Sequence, residues 1–390
     1  MRIGVDACCW SNLRGFGRFT RELLTALLRL DQTNEYLFFA DRQTAHLNRF
    51  PENARTIVVQ TSASPIEAAS ASGRRSVRDL WVMNRAVAKV PLDIFFFPAI
   101  YSYFPISNKA KVAVTIHDMI PAGFARSVFP NKKLELFWNL KERAALLQSD
   151  RIVTVSEYSK KQILRYRKVP ASKIGIVSEA PGEAFGRMAP GTDHGRVLSR
   201  FGLQLEDRFL LSVGGISPHK NLRMLLNVFH KLQQSRPELK LVLAGDYEKD
   251  SFLSDFQELS LLAKNLEMTE HLVFTGYITD SELAHLYNTA SLFVFPSLQE
   301  GFGLPAVEAM ACGTPIAASR AGSLPEVVGD AGEFFDPLDE REMFEVISRV
   351  LRDDVLMQKL RESGLKRAKM FQWSRAAREA LEIFEDMIRN

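Results

Sequence analysis

The feature that most constrains this chain is a strand–helix alternation that runs its whole length and restarts once. Short apolar runs at 2–7, 36–40, 56–60, 93–97, 111–116 and 151–155 form one series. Runs at 209–213, 240–244, 272–275, 292–295 and 315–318 form a second. Several are nearly continuous in Val, Ile, Leu and Phe, as expected of parallel strands covered on both faces. Between them lie amphipathic helical stretches. Leu23, Leu24, Leu27 and Leu28 make one apolar stripe, and Leu225, Leu226, Phe229 and Leu232 another. This order predicts α/β architecture with parallel sheets.

The two series are separated at 180–195, APGEAFGRMAPGTDHG, where Pro and Gly recur without periodicity and a linker is expected. A chain of 390 residues also exceeds one ordinary core and suits two domains of roughly 150–200 residues. The expected division is 1–190 and 191–372, two doubly wound domains facing each other across a cleft. Ligands would bind there, at the carboxyl ends of the strands. The closing amphipathic stretch (Trp373, Ala377, Leu381, Phe384, Ile388) is expected to return to the first domain. Residues 61–76 are small, polar and aperiodic, which predicts a mobile loop.

Composition sets the class. Hydrophobic residues make up 46% and charged residues 25%, as in ordinary soluble globular proteins. The N-terminus shows no secretory signal, so the cytosol is the expected compartment. The longest apolar stretch, 94–106, is broken by Pro98 and Pro105 and falls short of a membrane span of about 20 residues. Cys8, Cys9 and Cys312 make neither a disulfide framework nor a metal-ligand pattern, and adjacent Cys8 and Cys9 would point to opposite faces of a strand.

The net charge of +4 hides an asymmetry: residues 1–180 carry 27 Lys+Arg and 15 Asp+Glu, a net +12, and the remainder carries −8. Basic clusters stand at Arg74, Arg75 and Arg78, at Lys132 and Lys133, and at Lys160, Lys161, Arg165, Arg167 and Lys168. Such a lobe suits an anionic partner, either a membrane surface or a lipid-linked phosphate. No nucleic-acid-binding signature accompanies it, so nucleic acid is not expected as a partner.

The most informative segment is LFVFPSLQEGFGLPAVEAMA from Leu292. A strand ends at Pro296, a loop carries Glu300, and a helix starts near Leu304 with Pro305 where proline is tolerated. Gly301 and Gly303 allow close approach of backbone to ligand, and the free N–H groups of the helix end favour an anion such as a diphosphate. Glu308 stands about one turn further on, so one carboxylate can grip sugar hydroxyls while the other grips a ribose. Because Glu300 lies in a loop, its replacement is expected to leave folding nearly intact.

Glu, seven residues, Glu, with Gly-Phe-Gly-Leu after the first, closely resembles the hallmark of the retaining glycosyltransferases of family 4. The flanks are similar too, in Cys312-Gly-Thr-Pro-Ile, Ala321-Gly-Ser-Leu-Pro-Glu326, Phe274-Thr-Gly-Tyr-Ile and Ser212-Val-Gly-Gly-Ile-Ser-Pro-His-Lys220. The likeness continues in Thr115-Ile-His117-Asp118, Val155-Ser-Glu-Tyr-Ser and Gly15-Phe-Gly17-Arg. It implies the GT-B fold of two Rossmann-like domains, and transfer of a hexose from a UDP- or GDP-sugar to a glycan or lipid-linked acceptor.

By that resemblance Glu300 hydrogen-bonds the donor sugar and Glu308 the ribose. The backbone of Gly301, Phe302, Gly303 and Leu304 lines sugar and phosphates, and Lys220 neutralises the β-phosphate without a metal. His117 stands at the reaction centre, positioning the sugar and supporting positive charge at the anomeric carbon, not as a proton-abstracting base. Gly15, Gly17 and Arg18 form the loop beside the phosphates; Gly215 and His219 flank the phosphate lysine; Gly276, Tyr277 and Ile278 lie near the nucleotide base. This chain departs from the family at His219, where many members have Arg, and at Gly214, where many have another basic residue. Phosphate neutralisation then rests on Lys220 alone or with an arginine such as Arg18.

Family members react on one face of the sugar, the leaving phosphate oxygen assisting the acceptor hydroxyl. No Asp-x-Asp pair is present, so no essential metal or cofactor is expected. Alternatives are a phosphorylase or sugar synthase of the same fold, and an inactive membrane-associated scaffold. A dehydrogenase is excluded, because Gly15-Phe-Gly17-Arg lacks the third glycine of the dinucleotide fingerprint.

Overall fold

The computed structural model describes residues 1–62, 76–246 and 254–389. The chain folds into two compact units, one of Met1–Glu179 with Gln372–Asn390 and one of Ala180–Phe371.

The first unit is built on seven parallel strands: β1 (Arg2–Asp6), β2 (Glu35–Asp41), β3 (Arg55–Val59), β4 (Ile94–Phe97), β5 (Lys111–Thr115), β6 (Arg151–Thr154) and β7 (Ile174–Ile176). Their order across the sheet is β3-β2-β1-β4-β5-β6-β7. The central strand β4, Ile-Phe-Phe-Phe, is wholly buried, which explains its unbroken apolar run. The second unit has six: β8 (Phe209–Val213), β9 (Lys240–Ala244), β10 (Leu272–Phe274), β11 (Leu292–Phe295), β12 (Ile316–Ser319) and β13 (Gly332–Phe335). Their order is β10-β9-β8-β11-β12-β13, again all parallel. In each sheet the order reverses beside the first strand, at β1/β4 and at β8/β11, and ligands bind outside the strand ends at such points.

Two strands went unread in the sequence, β7 and β13, and each is an outer edge. Their residues are mostly half-buried, so neither carries a continuous apolar run. The Leu23/24/27/28 stripe lies buried on the helix Gly15–Leu30, and the Leu225/226/Phe229/Leu232 stripe on the helix Leu222–Gln233.

The closing helix, Trp373–Arg389, buries Ala376, Ala377, Ala380, Phe384 and Met387, whereas the expected Ile388 is exposed. Met387 takes its place because the helical period puts 380, 384 and 387 on one face. Phe384 meets Phe96 at 5.2 Å, and Glu379 accepts hydrogen bonds from the backbone and hydroxyl of Ser178 at 3.0 and 3.1 Å.

The division falls at 179/180, not at 190/191. Residues 180–194 are irregular, yet they are anchored to the second unit. Phe185 packs edge-on to Tyr287, and Asn288 pairs with the Met188 N–H and the Gly186 carbonyl at 2.9 and 3.0 Å. The loop expected at 61–76 lies largely outside the described residues, and with it Arg74 and Arg75. Cys8 and Cys9 stand in a short 3-10 turn after β1 rather than on the strand, and all three cysteines are buried thiols.

Candidate active site

In the second unit, β11 runs into a loop and then into the helix Leu304–Cys312. Gly303 caps that helix at φ 99°, and a Cβ there would stand 2.7 Å from Leu324. Only glycine meets both demands. Gly322, also left-handed, lies so close to the strand-end loop that its Cβ would stand 2.6 Å from the Glu300 amide nitrogen. Ser323 Oγ then donates to the carbonyls of Glu300 and Phe302 at 3.2 and 2.7 Å. The loop carrying Glu300 is therefore clamped from behind. Phe302 and Leu304 turn their side chains inward, Phe302 edge-on to Phe371 at 5.7 Å, so at these positions only backbone can face a ligand.

Lys220 Nζ lies 2.7 Å from Glu300 Oε1, with the two side chains only 16% and 11% exposed. The ammonium also lies 5.6 Å from the centre of the Phe295 ring. Its stem passes Gly214, whose φ is 145° and whose Cβ would be 3.2 Å from Lys220 Cε. A Cβ on Gly245 would strike the Gly214 carbonyl oxygen at 1.9 Å. The departure at position 214 thus has a backbone reason: a φ of 145° is strained for any residue with a side chain, and a Cβ there would press on the lysine stem. Around the lysine a concavity is lined by Ser212–Ile216, Gly215 among them, and by Phe295, Pro296 and Ser297.

His219 is buried, and burial first, then the charge of Lys220, push its pKa down to about 4 against the opposing pull of Glu300. It is neutral at neutral pH and supplies no charge to a phosphate. Its ring meets Ser217 Oγ at 3.2 Å and its carbonyl accepts from the Leu298 amide at 2.8 Å, so it braces the Glu300 loop. Glu308, buried on the 304–312 helix, accepts from the Tyr287 hydroxyl at 3.3 Å. Gly276, at φ 66°, bridges Gly245 beyond the end of β10, leaving Ile278 half-buried and Tyr277 exposed.

In the first unit the helix Gly15–Leu30 follows β1. Its two glycines differ. A Cβ on Gly17 would hit the Asn12 carbonyl oxygen at 2.0 Å, whereas a Cβ on Gly15 would meet nothing. Arg21 donates to the carbonyls of Trp10 and Asn12, both at 2.6 Å, tying down the loop before Arg18 and its helix. Arg18 itself is half-buried.

His117 follows β5, held in a T-shaped contact with Phe19 at 4.7 Å. Its Nε2 lies 3.1 Å from the Pro98 carbonyl oxygen and its Nδ1 3.4 Å from Glu179 Oε1. Both ring nitrogens thus face oxygens. Tyr101, Asp118 and Trp138 line a second concavity with His117. Burial, with Asp118 adding, raises the Tyr101 phenol well above its usual range, so it stays protonated. Glu179 is the residue that sequence reasoning missed. It follows β7, the unread edge strand, and the available signal was an acidic residue just beyond a strand's carboxyl end. Among the described residues no group of three or more His, Cys, Asp or Glu is placed to hold a metal ion.

Comparison with known proteins covers both halves. The family model described as Glycosyltransferase Family 4 matches residues 13–179, and that described as Glycosyl transferases group 1 matches 198–367. The serotype-specific mannosyltransferase WbdA of Escherichia coli is 30% identical over 81% of this chain and 39% of its own length. The O-antigen chain mannosyltransferase B of Escherichia coli is 33% identical over 60% of each. The chain therefore spans from about two-fifths to three-fifths of the length of these relatives.

Among solved structures, sucrose-phosphate synthase from Thermosynechococcus elongatus superposes with a TM-score of 0.77 at 18% identity, covering 100% of this chain and 99% of that one. Anabaena HepE, in complex with UDP and glucose, gives 0.73 at 16%, with 99% of each chain covered. These likenesses concern the fold. With its two halves matched by models of one family and both parallel sheets built as in its structural neighbours, the chain belongs to the family 4 glycosyltransferases, which have the GT-B fold.

Proposed function

We propose that this protein is a retaining glycosyltransferase that moves a hexose from a UDP- or GDP-sugar to a glycan or lipid-linked acceptor without an essential metal, at the cytoplasmic face of a membrane. The observation that carries the reading is the Lys220–Glu300 contact at the carboxyl end of β8 and β11, with Glu308 buried on the helix that follows. A cation, a carboxylate and a free helix end are what a sugar diphosphate requires: neutralised phosphate, gripped hydroxyls and anion-binding N–H groups. That both relatives are named mannosyltransferases favours mannose as the sugar.

In this reading the bond from the anomeric carbon to the β-phosphate oxygen breaks as the bond to the acceptor oxygen forms on the same face. The acceptor's proton passes to the departing phosphate oxygen. Lys220 stabilises the charge that develops on that phosphate, and His117 supports the positive charge at the anomeric carbon. Positioning and charge stabilisation supply the acceleration.

The test is turnover against a panel of UDP- and GDP-sugars, with released nucleotide as the readout and the product's anomeric configuration determined. GDP-mannose turnover with retention, surviving EDTA, is the expected result. Inversion would remove the retaining mechanism, and activity lost to EDTA and restored by magnesium or manganese would show that an ion supplies the charge assigned to Lys220.

A further inference from the structure

Three helices of the first unit, Val77–Ala88, Lys132–Gln148 and Glu157–Tyr166, connect strands that move in one direction across the sheet, from β3 to β4, β5 to β6 and β6 to β7. The helix Gly15–Leu30 connects strands that move the other way, from β1 to β2. Because such crossovers are right-handed, the three lie together on one face of the sheet and the 15–30 helix on the opposite face. The Trp373–Arg389 helix packs on the 15–30 side.

That three-helix layer is unusual in what it exposes. Of the twelve exposed large apolar side chains described in this unit, seven are on these helices. On the 132–148 helix, Leu136, Phe137, Leu140 and Leu147 are each more than half exposed, although the opposite face is already committed to the core through Trp138, Ala145 and Leu146. Lys132, Lys133 and Arg143 share the outer face, at helical spacing from the apolar set. On the 77–88 helix, Val77 and Trp81 are more than half exposed, and the Arg85 guanidinium lies 5.1 Å from the centre of the Trp81 ring.

The three helices carry nine Lys+Arg and four Asp+Glu, and two of those four, Asp79 and Glu142, are buried. Large exposed apolar groups on a monomer mark an interaction surface. Here they are interleaved with an excess of positive charge, and no described helix is long and apolar enough to cross a membrane.

We propose that this layer is a docking face for an anionic lipid bilayer, with Phe137, Leu140 and Trp81 entering the headgroup boundary and Lys132, Lys133, Arg143, Lys160 and Lys161 meeting lipid phosphates. Basic residues beside apolar ones on one face are the signature of a surface-lying element, and a Trp ring, apolar in body and polar at its N–H, suits that depth. A second copy of the same face is disfavoured, because like charge would meet like charge. The proposal deepens the acceptor side of the function above and rests on it for its purpose: a lipid-linked acceptor is reached only by an enzyme held at its surface.

The experiment is co-sedimentation of the full chain with vesicles of phosphatidylcholine alone or mixed with phosphatidylglycerol, across a salt series. Binding is expected only to the anionic vesicles and is expected to fade as salt rises past the range where the Debye length is about 8 Å. Phe137→Ser with Leu140→Ser, and separately Lys132→Ala with Lys133→Ala, should each weaken binding about tenfold or more. Val355→Ser, at an exposed apolar position of the second unit, should not.

No binding at low salt, equal binding to neutral vesicles, or equal loss in the Val355 variant would overturn the proposal. So would a wild-type dimer that Phe137→Ser dissociates. Transfer to a soluble acceptor, measured on the same proteins, keeps the two readings apart. Turnover without vesicle binding defeats the docking face alone, and vesicle binding without turnover on any donor defeats the transferase reading.

Discussion

Lys220 and Glu300, eighty residues apart in sequence, meet at 2.7 Å with little of either side chain left to solvent. The two residues expected to act separately, one on phosphate and one on sugar, are in this structure each other's counterion. In the function proposed above a donor shares both, and its phosphate competes with Glu300 for the ammonium. Removing either partner strands the other's charge in a largely dehydrated place.

The first prediction corrects the expectation that Glu300 can be replaced without cost to folding. Glu300→Ala should lower stability by about 1–3 kcal/mol, because Lys220 loses its partner. Lys220→Met should do the same, and the double variant should be less destabilised than the two singles added. Denaturant unfolding of the four proteins measures this; strict additivity would mean the pair is not coupled. Turnover should fall by about a hundredfold or more in Glu300→Ala.

Glu308 and Tyr287 are joined inside the unit, so Glu308 is held rigid before any ribose arrives. Glu308→Ala should weaken nucleotide binding by about tenfold to a hundredfold, the worth of hydrogen bonds to a charged group. Calorimetric titration with UDP and GDP reads it directly. Unchanged affinity for both nucleotides would count against the ribose role.

Glu179 is expected to position His117 rather than to touch substrate. Glu179→Gln keeps the shape while removing the charge beside Nδ1, and should lower kcat by about tenfold while leaving KM nearly unchanged. Glu179→Ala should lower kcat further, and Glu179→Asp should recover part of it. Equal loss of kcat across all three, in step with falling melting temperature, would reduce Glu179 to a packing role.

His219 gives a pH dependence of stability. Its folded pKa, about 4, lies below the ordinary value of 6.5, so between these limits the unfolded chain binds more protons than the folded one. Stability therefore rises with pH across that window; the contribution is complete above about pH 6.5 and is lost as pH falls toward 4. A shift of that size corresponds to about 3 kcal/mol. His219→Gln, which keeps a polar side chain and cannot titrate, should flatten the pH profile of unfolding between pH 4 and 6.5. An acid limb of undiminished slope would place the titration elsewhere.

The central strands were legible because each is buried on both faces and so reads as an unbroken apolar run. The Gly-Phe-Gly turn between Glu300 and Glu308 was legible because a strand end, a glycine loop and a proline-started helix are all local. Beta strands β7 and β13 were not, since Gly175 interrupts the first and Gly332-Glu333 open the second, leaving no apolar run in either. Missing β7 hid Glu179, because the residue matters only once that strand brings it beside His117, sixty-two positions earlier.

The sequence by itself thus determined the alternation, the two parallel sheets and most of the residues at their carboxyl ends, since these follow from period and local turn chemistry. Tertiary structure alone decided that Gly17 is obligatory and Gly15 is not, that His219 is a neutral brace, that 180–190 belongs with the second unit, and that Glu300 is paired with Lys220. Each of these depends on what stands within a few ångströms in space, and the residues that stand there come from distant parts of the chain.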